Sequence, residues 1–216
     1  MENSFERKEK VIAYIDGFNL YFGMVEAGFD YCKWLNLKLL VENLLKPSQV
    51  LTEVKYFTSR VSNNPEKQKR QSLYIDALHS IGVKIIYGNY QDGNVKCLRC
   101  GHVWKSAKEN MTDVNIATAI IIDAYKNEYD IAMLISGDTD LVPPIREVHT
   151  IFKDKRVMIA FPPKRHNKVL AIAAKGSFVI GRKKLVASQL QQEIISLTGY
   201  KIKIPESWKK NETKMY

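Results

Sequence analysis

Asp16 closes a short apolar run, Val11-Ile12-Ala13-Tyr14-Ile15, and is followed by Gly17-Phe18-Asn19. Asp138 and Asp140 close a second run, Ile131 to Ile135, within Ser136-Gly137-Asp138-Thr139-Asp140. Carboxylates gathered at one place repel one another unless a cation joins them. The pattern therefore points to a hard divalent metal, and through it to phosphate chemistry. Gly17 permits a sharp turn after the first run. Asn19 can then reach back toward Asp16 to hold a water or a phosphate oxygen; the alternative for this pair is an Asx turn that caps a helix. In the second loop, two carboxylates two residues apart can both face one site, or one of them can cap the helix that follows. Asp113 opens a third segment, Thr112-Asp113-Val114-Asn115-Ile116-Ala117, with either Thr112 or Asp113 as the expected N-cap. Asp123 and Asp130 read as solvated or turn residues.

These residues need a frame that brings them together. Both apolar runs have the length and β-branched content of buried parallel strands. Strands are expected at 10–16, 50–58, 83–88, 131–136, 155–160 and 178–180. Helices are expected at 35–46, 65–81, 112–127, 141–151, 166–174 and 183–197, with a frayed end from 205. Pro47, Pro65 and Gly82 mark helix boundaries. Alternation of this kind gives an α/β fold, an open parallel sheet with helices on both faces. In such sheets ligands bind at the carboxyl ends of the strands, where Asp16, Asp138 and Asp140 fall. Residues 89–111 break the rhythm as an insertion. The expected division is a domain over 1–181 and a basic helix and tail over 182–216.

The net charge is +10, and it is unevenly placed: residues 153–216 hold 15 Lys/Arg against 4 Asp/Glu, whereas residues 1–152 are nearly balanced. A basic surface beside an acidic metal site suits a polyanion; a solvated basic tail is the alternative. Arg60, Ser136, Lys164 and Arg165 are candidate substrate contacts, because the loops that carry them should share the edge that carries the aspartates. Lys67, Lys69 and Arg70 form a further basic cluster. Phe18, Tyr21 and Phe22 can stack on unpaired bases, with core packing expected for two of the three. No apolar run reaches the roughly 20 residues of a membrane span, and the charged first ten residues do not read as a signal peptide. A cytoplasmic protein without a membrane partner is expected. The oligomeric state is open, a homo-oligomer included.

Three cysteines argue against a disulfide framework. Cys97-Leu98-Arg99-Cys100-Gly101-His102 is half of a zinc knuckle. A closed zinc site needs four ligands, so Cys97 and Cys100 would need His102 and Cys32, or a second subunit, to complete it. Two reduced cysteines are the alternative.

The three segments Val-Ile-Ala-Tyr-Ile-Asp-Gly-Phe-Asn-Leu-Tyr, Thr-Asp-Val-Asn-Ile-Ala and Leu-Ile-Ser-Gly-Asp-Thr-Asp-Leu-Val-Pro-Pro-Ile, taken in order across residues 10–180, resemble the NYN domain of the PIN-like nuclease superfamily. The resemblance implies a Rossmann-like (PIN-like) sheet and a Mg²⁺- or Mn²⁺-dependent ribonuclease site. Its acidic positions fall on Asp16, Asp113, Asp138 and Asp140, and its polar partner on Asn19. On that reading the aspartates hold one or two metal ions, Asp140 ligates or orients a water, and RNA is cleaved by in-line attack on phosphorus. A non-catalytic RNA-binding or regulatory module on the same fold is the alternative, and affinity without cleavage would mark it. A haloacid-dehalogenase phosphatase would need Asp-x-Asp after the first strand, where Phe18 stands. No Gly-x-Gly-x-x-Gly follows a strand, and no P-loop is present.

Overall fold

The structure is a computed structural model that describes residues 7–61, 64–96 and 99–209. Six strands form one parallel sheet: β1 (Glu9–Asp16), β2 (Gln49–Thr58), β3 (Lys84–Tyr87), β6 (Ile131–Ile135), β7 (Arg156–Phe161) and β8 (Gly176–Val179), in the spatial order β3-β2-β1-β6-β7-β8. The order reverses between β1 and β6, which makes their carboxyl ends the switch point of the sheet. The α/β fold with a Rossmann-like sheet is therefore as the sequence predicts.

Alternation along β1 divides the core. Val11, Ala13 and Ile15 face α1 (Gly17–Glu26), α2 (Leu37–Leu44), α3 (Pro65–Ser80) and α7 (Arg182–Ala187). Ile12 and Tyr14 face α4 (Thr112–Tyr125), α5 (Val142–Ile151) and α6 (Lys168–Ala173). Strands covered on both faces read as continuous apolar runs, which is why the pattern was plain in the sequence. Ile116 and Ile120 of α4 are fully buried against this second face. Each contributes about 1.5–3 kcal/mol, enough to fix the helix that carries Asp113. Among the described residues no helix is long and apolar enough to cross a membrane.

The insertion at 89–111 is an antiparallel hairpin of β4 (Asn89–Lys96) and β5 (Val103–Asn110). The C-terminal segment departs from expectation. Instead of one helix over 183–197, α7 stops at Ala187, and β9 (Glu193–Ile195) pairs antiparallel with β10 (Lys201–Lys203). Tertiary bonds end the helix: the Ser188 carbonyl accepts from Asn36 N, Leu190 N donates to the Trp34 carbonyl, and Leu35 bridges Gln189. Gly199, at φ 88°, makes the turn between β9 and β10. Residues from 205 are not all frayed: Trp208 packs against Trp34 and Tyr74.

Asp123 is corrected outright. It is buried on α4, where its Oδ2 accepts from Tyr14 OH at 2.6 Å and from Lys55 Nζ at 2.5 Å. Burial and the Asp123 carboxylate together push the Tyr14 hydroxyl well above its ordinary range. Asp130 holds a turn, accepting Lys10 N at 2.7 Å.

Candidate active site

Ile15 of β1 pairs with Ile135 of β6, so Asp16 and Ser136 leave neighbouring strands side by side. Asp16 caps α1, its Oδ1 accepting Asn19 N at 3.0 Å, and its Oδ2 accepts the Ser136 hydroxyl at 2.9 Å. Ser136 Oγ in turn accepts Asp138 N at 3.1 Å, and Asn19 Oδ1 accepts Gly137 N at 3.0 Å. Two loops from two strands are thus tied by three side chains. These bonds, with the positive end of α1, compensate a carboxylate that is almost wholly buried.

Close backbone approach requires glycine at Gly17 and Gly137, beside the cleft aspartates. A Cβ on Gly17 would meet the Tyr56 ring at 2.6 Å and the Phe57 carbonyl at 2.8 Å. A Cβ on Gly137 would lie 2.1 Å from the Arg165 carbonyl. Gly137 thereby lets the loop after β7 close against the loop after β6 and brings Arg165 to the site.

The result is a cleft of about 210 Å³ lined by Asp16, Asn19, Asp113, Asp138 and Arg165, with Phe18, Phe22, Met111 and Thr112 completing its walls. Three carboxylates from three separate elements line one space, with Arg165 beside them. Met111, not Thr112 or Asp113, occupies the N-cap position of α4; its φ of 78° is a left-handed conformation that costs a non-glycine residue energy. Asp113 lies in the first turn of that helix. No signal in the sequence marks Met111 as a wall of the cleft.

Other expected residues are placed elsewhere. Asp140 is exposed in the 3₁₀ turn Thr139–Leu141; its backbone N–H donates to Asp138 Oδ1 at 3.0 Å, and it does not line the cleft. Lys164 is exposed, at φ 61°. Arg60 stacks over the Tyr87 ring at 5.3 Å, outside the cleft. Arg165 pairs with Glu26, and its buried Nε has no hydrogen-bond partner among the described residues. Of the three aromatics on α1, Tyr21 (37%) and Phe22 (47%) are exposed, which corrects the expectation that two would be core.

The donor set in the cleft is all oxygen, the chemistry of Mg²⁺ or Mn²⁺. Among the described residues no three His, Cys, Asp or Glu side chains form a ready metal cage. Magnesium does not require one: it is commonly held by one or two carboxylates, waters and substrate phosphate. The residues present therefore fit a hard cation. Among the described residues, Cys32, Cys100 and His102 of the expected zinc set do not form a metal-binding group. Cys32 is buried in the core, Cys100 is exposed, and Cys97 lies outside the described residues.

Comparison with known proteins agrees with this architecture. A curated relative named 6-hydroxy-3-succinoylpyridine 3-monooxygenase HspA, from Pseudomonas putida, is 27% identical, covering 90% of this chain and 74% of its own length. A crystallised protein of unknown function from Vibrio parahaemolyticus superposes with a TM-score of 0.58 at 20% identity, over 88% of this chain and all of its own; that likeness is one of fold alone. The family model of the NYN domain matches residues 10–181, and the chain belongs to the NYN domain family.

Proposed function

We propose that this protein is a metal-dependent ribonuclease that hydrolyses RNA phosphodiester bonds in the cleft between β1, α4 and the loop after β6. One observation carries the reading: Asp16, Asp113 and Asp138 converge with Arg165 in a single cleft at the switch point of the sheet. Asp16, Asp113 and Asp138 would hold Mg²⁺ or Mn²⁺. When bound, such an ion polarises a phosphoryl oxygen and lowers the pKa of a water to a useful range.

The chain's own residues supply the rest. Arg165, which lines the cleft, offers charge to the substrate phosphate. Ser136 and Asn19 hold Asp16 and the 136–138 backbone in place. The Asp140 backbone N–H donates to Asp138 Oδ1 and holds the turn that presents Asp138, which leaves its exposed carboxylate to orient a water. Arg60 and Lys164 extend the basic surface for the RNA backbone. The test is cleavage of an end-labelled single-stranded RNA by wild type and Asp16→Asn, with EDTA and then with Mg²⁺ or Mn²⁺ restored. Cleavage that needs both the metal and Asp16 supports the reading. Metal-independent RNA affinity without cleavage would replace it with a binding module.

A second reading rests on the 27% identity to a protein named as a pyridine-ring monooxygenase. Ring hydroxylation consumes dioxygen and two electrons, so oxygen uptake in the presence of a hydroxypyridine and a reduced nicotinamide would favour it.

A further inference from the structure

Beside the acidic cleft lies a second cavity of about 490 Å³ between α1, α3 and the turn at Trp208, within the size range of ligand sites. Phe18 and Phe22 line both spaces, so the two adjoin along α1. The second is of a different character. Tyr21, Tyr56 and Trp208 add to its aromatic lining, while Lys33, Lys67 and Arg70 bring three cations to it. The Lys33 ammonium stands 5.4 Å from the centre of the Tyr21 ring, which puts charge and a π face at one point. Arg70 pairs with Glu66 at 3.4 Å on the helix surface, a contact weak enough to exchange for a phosphate.

We propose that this groove is a base subsite. It takes one unpaired nucleobase of the strand whose phosphate lies in the acidic cleft, with a neighbouring phosphate beside Lys33, Lys67 and Arg70. An aromatic surface combined with cations is what a nucleotide demands, and stacking tolerates any base. A purely apolar ligand would leave the cations unused. A base paired in a duplex cannot enter, so the preferred substrate is single-stranded. This inference rests on the ribonuclease reading and names the substrate class of the same site.

The experiment measures anisotropy of a fluorescein-labelled single-stranded RNA 12-mer in EDTA, where binding is read without cleavage. Wild type, Tyr21→Ala, Tyr21→Phe and Lys33→Gln are compared, and a single abasic nucleotide is moved along the strand. Tyr21→Ala is expected to weaken binding at least about fivefold, the lower end of the loss of one base–aromatic stack. Tyr21→Phe is expected to retain it, and Lys33→Gln to lower the salt dependence by about one phosphate contact. One abasic position should weaken wild type but not Tyr21→Ala. Equal affinity of wild type and Tyr21→Ala, or a flat abasic scan on wild type, overturns the subsite. If the subsite alone is wrong, wild type still cuts RNA with Mg²⁺ and Asp138→Asn does not. If the ribonuclease reading is wrong, wild type does not cut RNA with Mg²⁺, whether or not it binds the strand.

Discussion

The Ser136 hydroxyl donates to Asp16 Oδ2 at 2.9 Å and accepts Asp138 N at 3.1 Å, so one side chain ties the Asp16 carboxylate to the backbone that carries Asp138. Ser136 is wholly buried, and its bonds cross from the strand-one loop to the strand-six loop. Its burial leaves it placed to hold the acids and corrects the expectation, made from sequence, that it contacts substrate. Ser136→Ala should reduce activity or Mn²⁺ affinity by about 10–100-fold, the usual cost of losing a partner behind a metal ligand. Calorimetric Mn²⁺ titration alongside cleavage kinetics checks this. Values within twofold of wild type would show that Asp16 and Asp138 hold their places without it.

Gly137 is the second control on site geometry. In Gly137→Ala the new methyl would meet the Arg165 carbonyl at 2.1 Å, so the 165 loop must move away. Overpacking of this kind costs about 1–3 kcal/mol. Urea denaturation should show that loss, and RNA affinity should fall with it because Arg165 leaves the cleft. Unchanged stability would mean the two loops have slack between them.

The buried pair Lys55–Asp123, with Tyr14 on the same oxygen, ties α4 to the sheet and so fixes the helix that presents Asp113. Removing one partner leaves a buried charge under-compensated: Lys55 would keep only the partly exposed Glu53 at 3.1 Å, and Asp123 only Tyr14. Lys55→Met or Asp123→Leu should each cost about 3–5 kcal/mol, and the double replacement less than either single one. A urea series on all three variants decides it, and single losses near zero would contradict the account.

His149 gives a pH prediction. Burial lowers its pKa, nearby Lys175 lowers it further, and a bond to the Ala173 backbone opposes them. Its Nε2 accepts Val157 N at 3.0 Å, which only the neutral ring can do. The folded pKa thus lies below the unfolded value of about 6.5, and the unfolded chain binds the proton more readily. The stabilisation is present above about pH 6.5 and is lost as pH falls through the folded pKa. The stability difference between wild type and His149→Ala should therefore shrink on acidification from pH 7 to 5. A difference independent of pH would contradict it.

The sheet and the carboxylates at its edge were legible because a strand buried on both faces is an apolar run, and the residue that ends it stands out. Asp16 and Asp138 stand out this way, whereas Asp113 is marked by the apolar helix it opens and by the family resemblance. Asp123 was not, since its partner lies 68 residues away in Lys55. A signal was available: a lone lysine amid Val54, Tyr56 and Phe57, all buried, requires an acid opposite it. Asp140 reads like Asp138 in sequence, but the turn after Asp138 carries it to the surface. The end of α7 depended on Asn36 and Trp34, whose pairing with Ser188 and Leu190 no local pattern encodes. Tyr21 and Phe22 look like core residues by composition, and only the placement of α1 leaves them beside the groove.

The central claim is that Asp16, Asp113 and Asp138 act as one metal site on RNA. The direct measurement is the single-turnover cleavage rate of single-stranded RNA in Mn²⁺ for wild type, Asp16→Asn, Asp138→Asn and the double variant. Groups acting as a unit are non-additive, so each single replacement should abolish most of the rate and the double should cost little more. Wild-type cleavage by either folded single variant, or no cleavage by wild type, would contradict the account.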